Sequence, residues 1–494
     1  MGTSIDREAF DEVDDARFQQ RLGQCLSTLG ELLERPGFGV GPATLGAELE
    51  LFLVDGAARP LQHNQAVRAA AADARVNVEL DRFNLELNAT PTLLAGCPFA
   101  TLGEELRLLL GRVADAARGH GGRPALVGIL PTLRRADLGA RAITDLPRYR
   151  ALNHRLRRRR HDPFQLRITG ADPLELASDD VALEGAATSF QVHLRVDPAE
   201  FTRTYNAVQA ATAPVLAVAG NSPTLLGHRL WEETRIPLCK QSIDDRDGRG
   251  LRRRPARVAF GTGWLRGGPL GLFTEGVRLH QPLLPVLDDH DPLAGVPEGQ
   301  APRLRELRVH QGTVWRWNRA VYDPAGGGHL RIEMRALPSG PTVIDMLANA
   351  ALLVGLSLWL ASQDASWTYA LSFERAEHGF YRAAQHGLAA ELSWPAGHGG
   401  RLRTLPATEL VPELLPAARQ GLVRAGVAAA EADRLLGVIA ARVATGQTGA
   451  VWQRRTLAAL EPRLGREPAL AATLQRYLEY AACDEPVHTW PTGR

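Results

Sequence analysis

Gly46-Ala47-Glu48-Leu49-Glu50-Leu51-Phe52-Leu53-Val54-Asp55 reads as a strand that carries two carboxylates two positions apart. Side chains at i and i+2 of a strand share a face, so Glu48 and Glu50 stand side by side while Leu49, Leu51 and Leu53 face a core. Two like charges inside an apolar strand are costly unless something positive sits between them. A hard cation such as Mg²⁺ meets that need, because it takes carboxylate oxygens. The plainer alternative is a sheet with one wet face, where both glutamates meet water.

Recurrence of the pattern favours the cation. Val76 to Ala89 is a second strand region, in which Asn84, Glu86 and Asn88 share one face and Leu85 and Leu87 the other; Thr90-Pro91 is expected to stop it. Thr188 to Val196 turns Phe190, Val192, Leu194 and Val196 inward and leaves Gln191, His193 and Arg195 on a polar face. His329 to Leu337 sets Arg331, Glu333 and Arg335 between Leu330, Ile332 and Met334. A curved antiparallel sheet of an α+β protein, with helices on its outer face, would collect these groups on one concave surface. Carboxylates beside an imidazole and several guanidiniums match a metal-clamped ATP site, in which roughly two or three Mg²⁺ ions bridge glutamates to a polyphosphate. His193 reads equally well as a ligand or as a core histidine, and Glu333/Arg335 reads also as a sheet ion pair.

Between these strands, the periodicity predicts helices over 6–35, 99–119 and 198–219, and a short buried strand from Leu126 to Leu130. The run Arg157–Arg160 is a solvated face more readily than an anion site. Gly220-Asn221-Ser222-Pro223 is a turn suited to presenting backbone N–H groups. Residues 240–303 are rich in Gly, Pro and charge and read as long loops, with a lid as one role. Val343 to Ala361 is apolar but carries Asp345, Asn349 and Ser357, and reads as a buried core helix. From about 405 to 485 the chain reads as wholly helical. The expected division is a catalytic domain over 1–395 and a helical C-terminal module over 396–494.

The totals set bounds. At 494 residues, with 45% hydrophobic and 23% charged residues, the chain is globular and larger than one ordinary core. A net charge of +2 supplies no global field that demands nucleic acid or an acidic membrane. Lys240 is the sole lysine, so a phosphate must be held by arginine, metal or backbone. Cys25, Cys97, Cys239 and Cys483 are scattered without metal spacing, and the acidic N-terminus lacks the pattern of a signal peptide; both point to the cytoplasm.

Five stretches together carry a resemblance: Gly46-Ala47-Glu48-Leu49-Glu50, Asn84-Leu85-Glu86-Leu87-Asn88, Gln191-Val192-His193, Ala219-Gly220-Asn221-Ser222-Pro223 and Arg331-Ile332-Glu333-Met334-Arg335. In this order they resemble the serial motifs of the glutamate–cysteine ligase family, in its bacterial carboxylate–amine ligase branch, over roughly residues 40–380. The resemblance implies a glutamine-synthetase-like sheet around Mg-ATP and an ATP-dependent amide synthesis through an acyl phosphate, with glutamate and cysteine as first-choice substrates. It implies Glu48, Glu50, Glu86, His193 and Glu333 as metal ligands, and Glu50, Glu333 and Arg335 as catalytic groups, with Arg335 steadying the transferring phosphoryl group. Arg235, Arg331, His193, Asn221 and Ser222 would contact nucleotide or substrate. The partners implied are small molecules, an amino-acid carboxylate and an amine, with no nucleic acid or membrane; a homo-oligomer stays open. Many relatives carry His-x-His where this chain has Gln191-Val192-His193. That departure keeps a second reading alive, a Mg-ATP-binding regulatory protein without turnover. A glycosidic hydrolase working through paired carboxylates is a third, for which an arginine-rich anion site is superfluous.

Overall fold

The computed structural model describes residues 5–160, 162–246, 254–293, 300–396 and 401–492. Its centre is a seven-stranded antiparallel sheet, curled into half a barrel. From one edge the order is Asn318–Asp323, His329–Met334, Phe190–Val196, Thr44–Asp55, Asn84–Leu93 and Val76–Val78. Gly122–Ala125 adds to the C-terminal half of Thr44–Asp55, where Phe52 faces Ala125. Thr44–Asp55 thus lies mid-sheet, and Leu45, Ala47, Leu49, Leu51 and Leu53 are all buried on its apolar face.

The helices cover that face. Pro98–Arg118 packs on the Glu86 strand, with proline in its first turn, where the missing N–H costs nothing. Phe201–Ala219 and Val343–Ala361 pack on each other and on the sheet. Val343–Ala361 is long and apolar enough to cross a membrane, yet 89% of its most apolar window is buried within the protein, as a core helix requires. Thr342 caps it by accepting from the Asp345 N–H.

The C-terminal helices press against this core. Ala407–Arg424 meets Val343–Ala361 at paired glycines: a Cβ on Gly355 would lie 2.4 Å from the Ala418 carbonyl oxygen, and one on Gly421 2.0 Å from that of Gly355. Arg442, 1% exposed, donates to Asp345 Oδ1 at 2.7 Å and to the Val218 carbonyl at 3.0 Å. Helices Gly449–Leu464 and Arg466–Ala481 complete this part of the chain.

Several boundaries differ from the periodicity. The first helix runs Glu12–Glu34 and starts at Asp11, whose side chain accepts from the Asp14 N–H in a capping box. The Glu86 strand does not stop at Thr90-Pro91 but continues to Leu93, because the register slips between Leu45 and Ala47 and Pro91 falls at that irregularity. Leu126–Leu130 is buried but forms no strand. Its backbone serves different segments instead: Gly128 N–H donates to the Asn221 carbonyl, Thr188 N–H to that of Gly128, and the Tyr477 hydroxyl to that of Leu126. Within 240–303, helix Leu270–Leu279 is regular; residues 247–253 and 294–299 of that stretch lie outside the described residues.

Candidate active site

Antiparallel register turns the alternating polar residues into rows across the concave face. Arg319, Glu333, His193 and Gly46 form one row, each opposite the next. Gln191, Glu48 and Asn88 form a second, and Glu50, Glu86 and Asn77 a third. Glu48, Glu50, Glu86, His193 and Glu333 are therefore brought together, and Arg335, just past the end of its strand, reaches the same group.

Glu48, His193 and Glu333 each turn one ligand atom into a cluster spanning no more than 4.8 Å. His193 Nε2 lies 3.3 Å from Glu48 Oε1, and neither ring nitrogen makes a hydrogen bond although the residue is only 6% exposed. A buried imidazole without a hydrogen bond, beside two carboxylates, suits a metal ligand better than a core histidine, which would donate to a carbonyl. Arg319 holds Glu333 with two hydrogen bonds, and Arg335 bonds both Glu333 and the Gln191 side-chain oxygen. Gln191 Nε2 in turn donates to Glu50 Oε1 at 2.8 Å, and the Ser189 N–H to Glu50 Oε2 at 2.7 Å. Gln191 thus orients Glu50 and Arg335.

Two cavities flank this line. The larger, 300 Å³, is lined by His193, Glu333, Arg308, Arg331 and Phe273 among others. The smaller, 110 Å³, is lined by Glu50, Glu79, Glu86, Glu184, Arg148, Tyr149 and Arg335. Glu48, Arg319 and Gly312 line both. A narrow arm of 40 Å³ continues past Glu50, Glu184 and Arg335 to Arg235, Cys239 and Trp317. A wider cleft of 860 Å³ lies away from the sheet, between residues 131–136 and 461–471, and several of its charges already have partners: Asp172 with Arg229 and Arg466, Arg134 with Glu467.

Electrostatics divide the site. Burial pushes Glu86 up to about 7, helped by repulsion from Glu48, and Glu184 up to about 7, helped by Glu50. Burial also raises Glu79, with Glu86, Glu50 and Glu184 adding to it, and raises Glu50 despite Arg335. Opposite them, burial would raise Glu333, but Arg319 and Arg335 hold it below the usual carboxylate range. Crowded carboxylates that resist ionising together are the donor set a divalent cation would relieve, and their hard oxygens fit Mg²⁺.

Of the other residues expected at the site, Arg331 lines the larger cavity and pairs loosely with Asp323 at 3.5 Å. Arg235 lines the arm, with Nε on Glu233 and Nη2 on the Ala336 carbonyl. The structure does not bring Asn221 and Ser222 to the cavities. Asn221 is fully buried and donates to the Ser339 carbonyl and the Tyr477 hydroxyl, while Ser222 donates to Glu233, the partner of Arg235. Glu79, Glu184, Arg319, Arg148 and Tyr149 were not singled out in the sequence. Arg319 left a signal there, two positions past Trp317 in a dense polar stretch, and Glu79 lies in the alternating run Val76-Asn77-Val78-Glu79-Leu80.

These side chains lie largely between residues 44 and 254, and that span has a known counterpart. Residues 44–254 match the family model of Glutamate-cysteine ligase family 2 (GCS2). The matched stretch contains Glu48, Glu50, Glu79, Glu86, Glu184 and His193, and leaves Arg319, Glu333 and Arg335 beyond it. No curated protein matches the chain. Among solved structures, the glutamate–cysteine ligase of Francisella tularensis in complex with AMP is similar at a TM-score of 0.51 and 10% identity, covering 91% of this chain and 90% of that one. A bifunctional glutathione synthetase from Pasteurella multocida is similar at 0.47 and 14% identity, over 93% of this chain and 55% of that one. At 10% identity the first similarity is one of fold, and the fold is that of the glutamine-synthetase-like ligases. The GCS2 match and this fold both point toward ligases that join a carboxylate to an amine.

Proposed function

We propose that the protein is an ATP- and Mg²⁺-dependent carboxylate–amine ligase that activates a carboxylate, glutamate as first choice, as its acyl phosphate and passes the acyl group to an amine, cysteine as first choice. The observation that carries this reading is the Glu48–His193–Glu333 cluster between two cavities, with Arg319 and Arg335 gripping the same carboxylate. The larger cavity, with Arg308 and Arg331 on its wall, suits the nucleotide; the acidic one suits the metals and the reacting ends of the substrates. Glu48, Glu50, Glu86, His193 and Glu333 would hold the metals, joined by Glu79. Held by these residues, magnesium would supply charge neutralisation at phosphate and polarisation of the transferring group. Arg335 and Arg319, fixed by Glu333 before any substrate arrives, place positive charge where phosphoryl charge develops, and they do so at no cost of reorganisation. Arg331 would meet nucleotide phosphate and Arg235 the substrate carboxylate, with Asn221 and Ser222 acting behind it through Glu233. We assign 1–395 to the catalytic part and 396–494 to a helical module packed on it, working in the cytoplasm.

The test is direct. Purified protein is incubated with ATP, Mg²⁺, glutamate and a panel of amines, and ADP and amide are followed. Substrate-dependent ADP release with amide supports the ligase. Nucleotide binding without ADP release would replace it with the regulatory reading.

A further inference from the structure

Helix Arg466–Ala481 sends one polar group toward the centre of the protein. Tyr477 is 1% exposed, with its ring against Trp452 and Trp490. Its hydroxyl donates to the Leu126 carbonyl at 2.7 Å and accepts from Asn221 Nδ2 at 2.8 Å. The neighbouring helix Gly449–Leu464 reaches the same asparagine. Gln453 Nε2 donates to Asn221 Oδ1 at 2.9 Å, the Ala450 N–H donates to the Gly220 carbonyl at 2.8 Å, and a Cβ on Gly449 would lie 2.1 Å from Asn221 Oδ1. Asn221 spends its second Nδ2 hydrogen on the Ser339 carbonyl at 2.7 Å. Both donors and the acceptor of this amide are used, so it has one orientation.

That orientation is felt on the other side of the turn. The Asn221 N–H donates to Glu233 Oε2 at 2.9 Å, and the Ser222 hydroxyl to Glu233 Oε1 at 2.6 Å. Glu233 is fully buried and accepts from Arg235 Nε at 2.7 Å, while Arg235 Nη2 donates to the Ala336 carbonyl at 2.6 Å. Arg235 Nη1 makes no hydrogen bond with any described residue, and the side chain lines the arm beside Glu50 and Arg335. A planar guanidinium pinned at two nitrogens points its third only where those two partners send it. The route from Tyr477 to the arm therefore crosses one asparagine and one glutamate, and no residue on it is more than 2% exposed.

We propose that Tyr477 is a positioning residue for the arm: through Asn221 and Glu233 it sets the Arg235 guanidinium, and the C-terminal helices thereby tune how tightly the site takes its carboxylate substrate. The assignment rests on the ligase reading, in which Arg235 meets that carboxylate. It gives helices that line neither the two cavities nor the arm a share in the site.

The test uses the full-length protein with ATP, Mg²⁺, glutamate and cysteine. Tyr477→Phe keeps the ring among its tryptophans and removes only the hydroxyl. It is expected to raise the KM for glutamate about three- to tenfold, the size of one lost hydrogen bond, and to leave the KM for ATP within about twofold of the parent. Gln453→Met, which frees Asn221 from the other helix, should move the same parameter in the same direction, and it carries the test if the tyrosine variant does not fold. An Arg235→Lys background separates positioning from stability. There Tyr477→Phe should change the glutamate KM less than about twofold, while lowering Tm as it does in the parent. An unchanged glutamate KM, equal rises for glutamate and ATP, or a full effect in the Arg235→Lys background would each overturn the proposal. Where the parent yields no amide, glutamate binding followed by calorimetry takes the place of KM. Binding that weakens in Tyr477→Phe would then remove the ligase reading and keep the positioning role; binding that does not weaken, or none at all, removes both.

Discussion

Arg319 holds the Glu333 carboxylate from the neighbouring strand with two parallel hydrogen bonds, Nε to Oε2 at 2.8 Å and Nη2 to Oε1 at 2.9 Å. The fork fixes one carboxylate of the Glu48–His193–Glu333 cluster and places a guanidinium on the wall common to both cavities. Lysine offers a point charge and cannot make this paired contact. Arg319→Lys is therefore expected to lower kcat by about one to two orders of magnitude while the circular dichroism spectrum stays that of the parent. Steady-state kinetics at saturating ATP check it.

Burial raises Glu50 although Arg335, the Ser189 N–H and Arg235 all pull it down. Glu50→Gln removes a charge the metal-free protein tolerates poorly. The variant should lose turnover and the Mg²⁺-induced rise in Tm, yet melt at or a few degrees above the parent without Mg²⁺, about 1 kcal/mol of relief. Thermal scans with Mg²⁺ and with EDTA separate the two effects. A variant with normal activity would count against the assigned role.

His310 is 1% exposed, next to the Gly276 carbonyl at 3.0 Å, and burial lowers it to about 4. A histidine depressed in the folded state contributes stability that is complete above its unfolded value of about 6.5 and is lost as pH falls toward 4. The amount is on the order of 3 kcal/mol. Glu86 and Glu184, raised to about 7, act in the opposite sense: their contribution is present below about 4.5 and lost as pH rises through 7. Comparing urea midpoints of the parent and His310→Gln from pH 7 to pH 4 isolates the histidine, and the gap between the two curves should close with acid.

Gly421 faces the backbone of Gly355 so closely that a methyl group would sit 2.0 Å from a carbonyl oxygen. Gly421→Ala should separate the two helices and cost about 1–3 kcal/mol, read as a fall in the urea midpoint. A larger loss should follow from Arg442→Met, which strands the fully buried Asp345 carboxylate, at about 3–5 kcal/mol.

The strands of the site were legible because alternation with period two survives even where both faces are buried. Glu48, Gln191, His193 and Glu333 all declared their face by the leucines, valines and isoleucines between them. Glu79 continues the alternation Val76-Asn77-Val78-Glu79-Leu80 but is overshadowed by the denser Asn84–Asn88 run, whereas Glu184 lies in a loop, where no periodicity marks it. Asn221 and Ser222 have turn chemistry, which a loop at a ligand and a loop sealed under a helix share equally. Only the approach of Tyr477, 256 positions later, decides between the two. Leu126–Leu130 looks like a strand because burial makes any short segment apolar, whatever its backbone bonds to.

Glu184 and Arg235 reach the arm from a loop and a short helix, not from the sheet. Glu48, His193, Glu333 and Arg319 are laced into a ladder where changing one disturbs its neighbours, whereas the arm takes these two side chains from outside it. On the proposed ligase reading, a designer seeking a new amide would leave the strands alone and vary the side chains that reach the site from loops and short helices.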